Sequence, residues 1–163
     1  MIKSALLLNV VICLGLCAQS FFSTDSTLII KKENNHQFEF QITRTLFDSI
    51  NHDISNIQNN EIDGKRASGI TWSIPKYEIK NIRLRIDNVE LQIPKVIYGF
   101  CFNPNLSKEY LNAYWGKDYE SVFVFMTGGD GVGGYTIAWY LSKNGNHSYM
   151  IPRYDDFMFN TQW

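Results

Sequence analysis

The chain has 163 residues, of which 45% are apolar and 15% are aromatic. This composition is enough to build the core of one domain of ordinary size, and it excludes a wholly disordered chain. With 15 Lys and Arg against 16 Asp and Glu, the formal net charge is −1, and no basic run marks a surface for nucleic acid or an anionic membrane.

The first twenty residues have the order of a secretory signal peptide. Lys3 supplies a positive charge, residues 5–16 are almost uninterrupted apolar sequence, and the small residues Ala18 and Ser20 follow. The apolar stretch is shorter than the about 20 residues that a membrane-spanning helix needs. We therefore expect residues 1–20 to be a signal peptide, the mature protein to be periplasmic or extracellular, and no stable membrane span.

Cys17 allows a second interpretation, in which the mature protein is lipid-anchored. Residues 14–17 read Leu-Gly-Leu-Cys, which resembles the bacterial lipoprotein signal, but Leu16 stands where that pattern has a small residue. Cleavage after Ala18 or Ser20 fits the small-residue rule better.

The cysteine content indicates how the fold is stabilised. Cys13 and Cys17 lie inside the predicted signal peptide, so Cys101 alone remains. One cysteine cannot form an internal disulfide, and the domain must be stabilised by its core. Phe100 and Phe102 flank Cys101, which predicts a small buried hydrophobic side chain and not a nucleophile.

Beyond the signal, residues 21–36 read as an N-terminal arm with one short strand, and residues 37–163 as a single globular domain. Residues 38–42 alternate apolar and polar, as in a half-buried strand.

Two segments then show helical spacing. Leu46, Ile50 and Ile54 are four residues apart, which predicts an amphipathic helix over about 46–57. Apolar and aromatic residues over 106–116 have a similar spacing and stop at a glycine, which predicts a second short helix.

Residues 82–93 predict a β-hairpin. Apolar residues alternate with charged and polar ones on both sides of Asp87-Asn88, and these two residues tolerate the backbone of a two-residue turn. This turn places Ile86 opposite Val89, Leu84 opposite Leu91, Ile82 opposite Ile93 and Arg85 opposite Glu90. Every pair matches in polarity, as a hairpin register requires.

Three further segments predict strands. Residues 69–74 form an apolar run closed by a proline, while residues 120–126 and 135–141 are apolar on both faces, as is typical of central strands.

The last hairpin is predicted at Asn144-Gly145, followed by a strand over 147–151. A two-residue turn places Tyr140 opposite Tyr149 and Trp139 opposite Met150. Residues 153–163 form an aromatic tail that we expect to pack back on the domain.

The elements together predict an α+β domain, an antiparallel β-sheet built from hairpins with one or two short helices. The alternative is an all-β sandwich or barrel.

Residues 127–134 are the most conspicuous local feature, because five of the eight are glycine. Gly129, Gly131 and Gly134 have the Gly-x-Gly-x-x-Gly spacing, but a predicted strand follows where a dinucleotide site needs a helix. Asp130 is the only acid in the run, too few for a calcium loop. Two interpretations remain: a hairpin tip whose glycines supply positive-φ geometry, or a loop presented to a partner.

The candidate binding residues are the loop and two aromatic residues: Gly128, Gly129, Asp130, Gly131, Gly133, Gly134, Tyr135 and Trp115. Trp115 belongs to a tyrosine- and tryptophan-rich segment, 110–119, that suits either core packing or contact with a protein or carbohydrate.

No catalytic motif is present in the sequence. The histidines, His36, His52 and His147, have no metal-ligand spacing, and neither Gly-x-Ser-x-Gly nor His-Glu-x-x-His occurs. His52 lies on the polar side of the predicted helix over 46–57, and we expect it at the surface. We therefore expect no catalytic residue, metal or cofactor, and an exported small binding protein, of inhibitor or immunity type, with a protein partner in the cell envelope. One alternative is a cell-envelope hydrolase whose cleft holds either two carboxylates, from among Asp118, Glu120, Asp155 and Asp156, or a Ser and a His. The other alternative is a structural accessory domain.

Overall fold

A computed structural model describes residues 24–129 and 131–152 of the chain. The predicted signal peptide and the aromatic tail, 153–163, lie outside the described residues. The described part contains these strands: β1 (Asp25–Glu33), β2 (His36–Leu46), β3 (Glu61–Ile62), β4 (Lys65–Arg66), β5 (Tyr77–Ile86), β6 (Val89–Gln92), β7 (Leu111–Trp115), β8 (Ser121–Gly128), β9 (Tyr135–Ser142) and β10 (His147–Met150).

Eight of these strands form two antiparallel sheets that follow one another along the chain. The strand orders are β1-β2-β5-β6 and β10-β9-β8-β7, and β3 and β4 form a small separate hairpin. The predicted antiparallel sheet built from hairpins is confirmed. The α+β class is wrong, because the helical segments among the described residues are 3₁₀ turns of three residues, and the described part is all-β.

The two sheets face each other across one hydrophobic core. In the central strands of each sheet, alternate residues point inward and most of them are buried, as the period of two requires. The core residues of the long central strands are Phe38, Phe40, Ile42, Leu84, Ile86, Val122, Val124, Met126, Ile137, Trp139 and Leu141. The strands predicted at 38–42, 120–126 and 135–141 are therefore confirmed as β2, β8 and β9.

The helix predicted over 46–57 is wrong. Strand β2 continues to Leu46, which pairs with Tyr77 of β5. The Asp48 side chain then accepts a hydrogen bond from the Ile50 N–H and caps one 3₁₀ turn, Ser49–Asn51. Short Asp and Asn side chains bond to nearby backbone in competition with a helix, and Ile50 is 91% exposed instead of facing the core.

Two other predicted elements are also wrong. The segment predicted as a helix over 106–116 contains strand β7, which pairs with β8 and buries Leu111 and Ala113. The segment predicted as a strand over 69–74 is irregular, and Trp72 within it has a φ of +52°.

Both predicted hairpin turns exist, but one register differs from the prediction. The turn at Asp87 pairs Ile86 with Val89, Leu84 with Leu91 and Arg85 with Glu90, as predicted, and pairing ends at Gln92. In the last hairpin, Tyr149 lies opposite Trp139 and Met150 opposite Ala138, one residue away from the predicted register. The Ser142 N–H bonds to the Asn146 carbonyl, so the loop has three residues and not two.

The strands give the molecule two distinct ends. The turns of four hairpins, β1–β2, β5–β6, β7–β8 and β9–β10, lie at one end, which we call the hairpin end. The other end, the loop end, carries the segment 47–76, which we call the insertion, the linker 93–110 and the glycine loop 127–134.

Asp87 ties the two sheets together at the hairpin end. Its carboxylate accepts hydrogen bonds from the Gln37 backbone N–H at 3.0 Å and from Lys143 Nζ at 3.0 Å, and it lies 3.2 Å from His36 Nδ1. These contacts lower the pKa of Asp87 to about 2, with the largest contribution from the Gln37 N–H and smaller ones from Lys143 and His36.

Candidate functional site

The glycine loop lies directly on the insertion at the loop end. A Cβ added to Gly133 would be 2.6 Å from Thr71 Oγ1 and 3.0 Å from the Ile70 carbonyl oxygen. A Cβ added to Gly129 would be 2.9 Å from the Cα of Gly69. Because real side chains do not fit at these distances, the glycines are required for the close approach of two backbones.

The loop also contains the backbone geometry of a tight turn. Gly129 and Gly131 have φ values of +72° and +49°, and Gly131–Gly133 forms one 3₁₀ turn before β9 begins. Val132 at the tip is 93% exposed. Asp130 lies outside the described residues, so its contacts stay a prediction.

Asn103 in the linker holds three loops in place at this end. Its side-chain oxygen accepts hydrogen bonds from the backbone N–H groups of Lys76 and Tyr77, and its amide donates to the Gly69 carbonyl, at 2.8, 3.0 and 2.9 Å. Its own carbonyl accepts from the Gly129 N–H at 2.9 Å. Asn103 has a φ of +48°, a conformation that asparagine tolerates better than most residues.

Trp72 is the most unusual residue of the insertion. It has a φ of +52°, its side chain is exposed, and its backbone N–H donates to Asn60 Oδ1 at 2.8 Å. A bulky side chain in the left-handed region costs about 1–3 kcal/mol, so the neighbouring contacts must enforce it. Such strained residues cluster at functional sites. No sequence signal distinguishes Trp72, because its conformation depends on contacts with distant segments.

The structure places the other predicted contact residues in different surroundings. Gly128, Gly129, Gly131, Gly133 and Gly134 belong to the loop. Tyr135, at the start of β9, is 8% exposed and lies beneath Gly128 with its hydroxyl beside the thiol of Cys101.

Cys101 is a buried free thiol, as the sequence predicts. Burial raises its pKa to about 12 and raises the pKa of Tyr135 well above its usual range. Both residues are therefore packing groups beneath the loop.

Trp115 is not brought together with the glycine loop. It pairs with Val122 at the hairpin end, whereas Gly128 is six residues further along β8, roughly 20 Å away at about 3.3 Å per residue. Its ring packs edge-on against Phe38 at 4.8 Å, and it belongs to the partly buried rim of the core.

The aromatic segment around Trp115 divides between packing and exposure. Tyr119 stacks on His36 at 5.4 Å, and Lys31 lies 4.2 Å from the ring centre of Tyr114. Tyr110 and Tyr114 are each about half exposed.

His52 is the best-connected titratable group of the insertion, although the sequence predicted a surface position for it. Its side chain is 8% exposed and stacks on Phe47 at 4.7 Å. Its Nδ1 lies 2.7 Å from Asp63 and its Nε2 lies 3.1 Å from Glu78. Both ring nitrogens are therefore engaged by carboxylates of this chain, which fixes the orientation of the ring.

Of the acids considered for a carboxylate pair in a cleft, Asp118 and Glu120 are both exposed and lie in the turn between β7 and β8. Asp118 accepts hydrogen bonds from the Glu120 N–H and from Ser121 Oγ, which lower its pKa and close a turn. Asp155 and Asp156 lie outside the described residues. Within residues 24–129 and 131–152, no group of three or more His, Cys, Asp or Glu side chains is arranged to hold a metal ion.

In the part of the chain that the structure describes, no helix has the length and hydropathy needed to cross a membrane. Comparison of the chain with known protein families, with curated proteins and with solved structures gives no match.

Proposed function

We propose that this chain is a small exported binding protein that docks a protein partner in the cell envelope through the loop end of its sheets. The observation that carries the proposal is the exposure of three large apolar side chains around the packed glycine loop. Trp72 is 65% exposed, Ile74 54% and Val132 93%. Exposed apolar residues grouped at one place are typical of interaction surfaces.

The segments that carry Val132 and Trp72 are held in place. Val132 is next to Gly133, which packs on Ile70 and Thr71, and Trp72 follows Thr71 in the chain. Because the segments are fixed before a partner arrives, binding orders few residues and loses little entropy. Tryptophan is also among the residues that contribute most to protein interfaces. The partner surface that suits this group is an apolar pocket able to accept an indole ring.

The export part of the proposal rests on the N-terminal sequence. The charged start, the short apolar stretch and the small residues before residue 21 support cleavage by a signal peptidase. Expression of the full chain in a bacterial host, followed by mass measurement of the exported product, tests this. We expect a new N-terminus after Ala18 or Ser20, whereas a lipid-modified N-terminal Cys17 would support the anchored alternative, and an uncleaved cytoplasmic chain would contradict export.

The docking part is tested by affinity capture from an envelope extract of the source organism, with three forms of the protein side by side. The test variant is Trp72→Ala, and the matched control is Tyr114→Ala, which removes an aromatic ring that is 49% exposed on the outer face of the second sheet. We expect the wild type and the control to capture the same protein, and Trp72→Ala to bind that purified protein at least about tenfold more weakly.

Two controls separate loss of the contact from loss of the fold. Thermal unfolding of each variant shows whether Trp72→Ala remains folded. A second variant, Val132→Ser, removes an apolar side chain at the loop end without changing the residue of positive φ. If both loop-end variants bind as the wild type does, the loop end is not the docking surface. If no protein is captured by any form, the binding function itself is contradicted.

A further inference from the structure

A second feature of the loop end is a cleft between the β3–β4 hairpin and the linker. Its volume is about 320 Å³, and Asp63, Lys65, Lys95, Val96, Phe100 and Phe102 line it. Ligand sites in proteins have volumes of roughly 300–1,000 Å³, so this cleft fits a small molecule. It is separate from Trp72 and Val132 and does not depend on the proposed docking function.

Local geometry places charged groups on both walls. The turn of the β3–β4 hairpin has two successive residues with positive φ, Asp63 at +54° and Gly64 at +68°. Asp63 therefore lies in the turn itself, and Lys65 begins β4 directly after it. On the other wall, a Cβ added to Gly99 would lie 2.9 Å from Cγ of Lys95. The lysine stem therefore lies over Gly99, and this position has no room for a side chain.

The charges of the cleft favour an anion. Neither Lys65 nor Lys95 belongs to any ion pair formed among the described residues. The two oxygens of Asp63, by contrast, already accept hydrogen bonds from the Asp53 N–H at 2.8 Å and from His52 at 2.7 Å. Partial burial would raise the pKa of Asp63, but these bonds and the charges of His52 and Lys95 lower it overall, so the group is ionised.

Among the side chains that line the cleft, two ammonium groups against one carboxylate leave a charge of +1, which matches a monoanion better than a phosphate dianion. The apolar wall, formed by Val96, Phe100 and Phe102, suits an aromatic or aliphatic body. Phe100 is supported from behind by Tyr149 of β10, with ring centres 4.9 Å apart.

We propose that this cleft binds a small organic monocarboxylate, with the carboxylate held by Lys65 and Lys95 and the apolar body against Phe100. Lysine recognises the carboxylate by charge and hydrogen bonds, and the phenyl ring contributes by apolar contact. Since both ammonium groups are exposed to solvent, each adds modest affinity and salt screens it.

The test is a protein-observed NMR titration with 3-phenylpropionate, with the neutral 3-phenylpropionamide as the matched probe. We expect saturable shifts of the Gly99 and Lys65 amide signals with the carboxylate, and weaker binding of the amide by about threefold or more. Lys95→Gln and Lys65→Gln should each weaken carboxylate binding by about two- to fivefold, the range expected for an exposed ion pair.

Lys80→Gln is the control, because Lys80 is an exposed lysine of β5 outside the cleft and its loss should leave binding unchanged. Glutamine removes the charge and keeps a polar side chain of nearly the same length, and because all three lysines are exposed, folding should be preserved. Equal binding of the two probes, unchanged affinity in both cleft variants, or no saturable shift at tens of millimolar carboxylate would each overturn the proposal.

Discussion

Replacement of Asn103 by alanine should destabilise the protein more than any other single change of a half-buried polar residue at the loop end. The substitution removes three side-chain hydrogen bonds, to the Lys76, Tyr77 and Gly69 backbones. The Lys76 N–H is exposed and can bond to water instead, whereas the bonds to Tyr77 and Gly69 are partly buried.

The expected magnitude follows from these contacts. Two partly buried hydrogen bonds at about 1 kcal/mol each give about 2 kcal/mol. Alanine at a φ of +48° adds about 1 kcal/mol, because it lacks the local hydrogen bonds that help asparagine there. Asn103→Ala should therefore lower the free energy of unfolding by about 3 kcal/mol, which corresponds to roughly 10 °C in Tm for a domain of this size.

Asn103→Asp separates the contributions. Aspartate keeps the oxygen that accepts from Lys76 and Tyr77 and tolerates the left-handed backbone, and it loses only the donor to Gly69. Its cost should be about 1–2 kcal/mol. Urea unfolding at pH 7, with midpoint and slope compared among wild type and both variants, measures these differences. A cost below about 0.5 kcal/mol for Asn103→Ala, or equal costs for both variants, would refute the reasoning.

Three other contacts allow predictions. The Gln37 N–H, helped by two basic side chains, lowers the pKa of Asp87 to about 2, below its unfolded value near 4. The stability from this bond is therefore present above about pH 4 and lost as the pH falls toward 2, and Asp87→Asn should flatten the pH dependence of the urea midpoint in that interval. A Cβ at Gly133 would lie 2.6 Å from Thr71 Oγ1, so Gly133→Ala should reduce the free energy of unfolding by about 1–3 kcal/mol in urea titrations. Because Cys101 is buried and its pKa is about 12, a thiol reagent at pH 8 should modify it only as fast as the protein unfolds.

Each of these three predictions has a control variant or a result that would contradict it. The nearest contact of a Cβ at Gly134 would be 3.2 Å, to the Gly131 carbonyl oxygen, so Gly134→Ala should cost less than Gly133→Ala, and equal costs would contradict the steric argument. Parallel pH curves for wild type and Asp87→Asn would show that the carboxylate contributes no pH-dependent stability. Modification of Cys101 in the native state, faster than unfolding, would show that the thiol is reached by local opening.

Local patterns predicted the hairpins because the deciding interactions are close in sequence. Around Asp87, the alternation of apolar and charged residues and the turn residues agree, so only one register buries Leu84 and Leu91 on the same face. The sequence of the last hairpin constrains the pairing register less strongly. His147, Ser148, Tyr149 and Met150 are all exposed, so burial does not select a register, and the three-residue loop decides it.

The helix prediction failed because its deciding interactions are distant. Leu46, Ile50 and Ile54 have helical spacing, but Leu46 is paired with Tyr77 thirty-one residues later. The Asp48 side chain then offers the following backbone a local bond that a helix would have to break. Periodicity describes which side chains can share a face, and it contains no information about the strand that competes for the backbone.

For the glycine loop too, the sequence indicated a requirement, and only the contacts with a distant segment explain it. Five glycines in eight residues predicted a geometric requirement, and the requirement is now identified as the approach of Gly133 to Thr71 and of Gly129 to Gly69. Such a loop has little side-chain surface of its own, since Val132 is the one large apolar residue within it. Any apolar partner contact must therefore come mainly from the segment on which the loop rests, and that segment presents Trp72. The glycines and Trp72 should consequently differ in their effects. A glycine change should alter stability and binding together, whereas Trp72→Ala should reduce binding at nearly unchanged stability, because the Trp72 side chain is 65% exposed and alanine keeps the Cβ in the same backbone conformation.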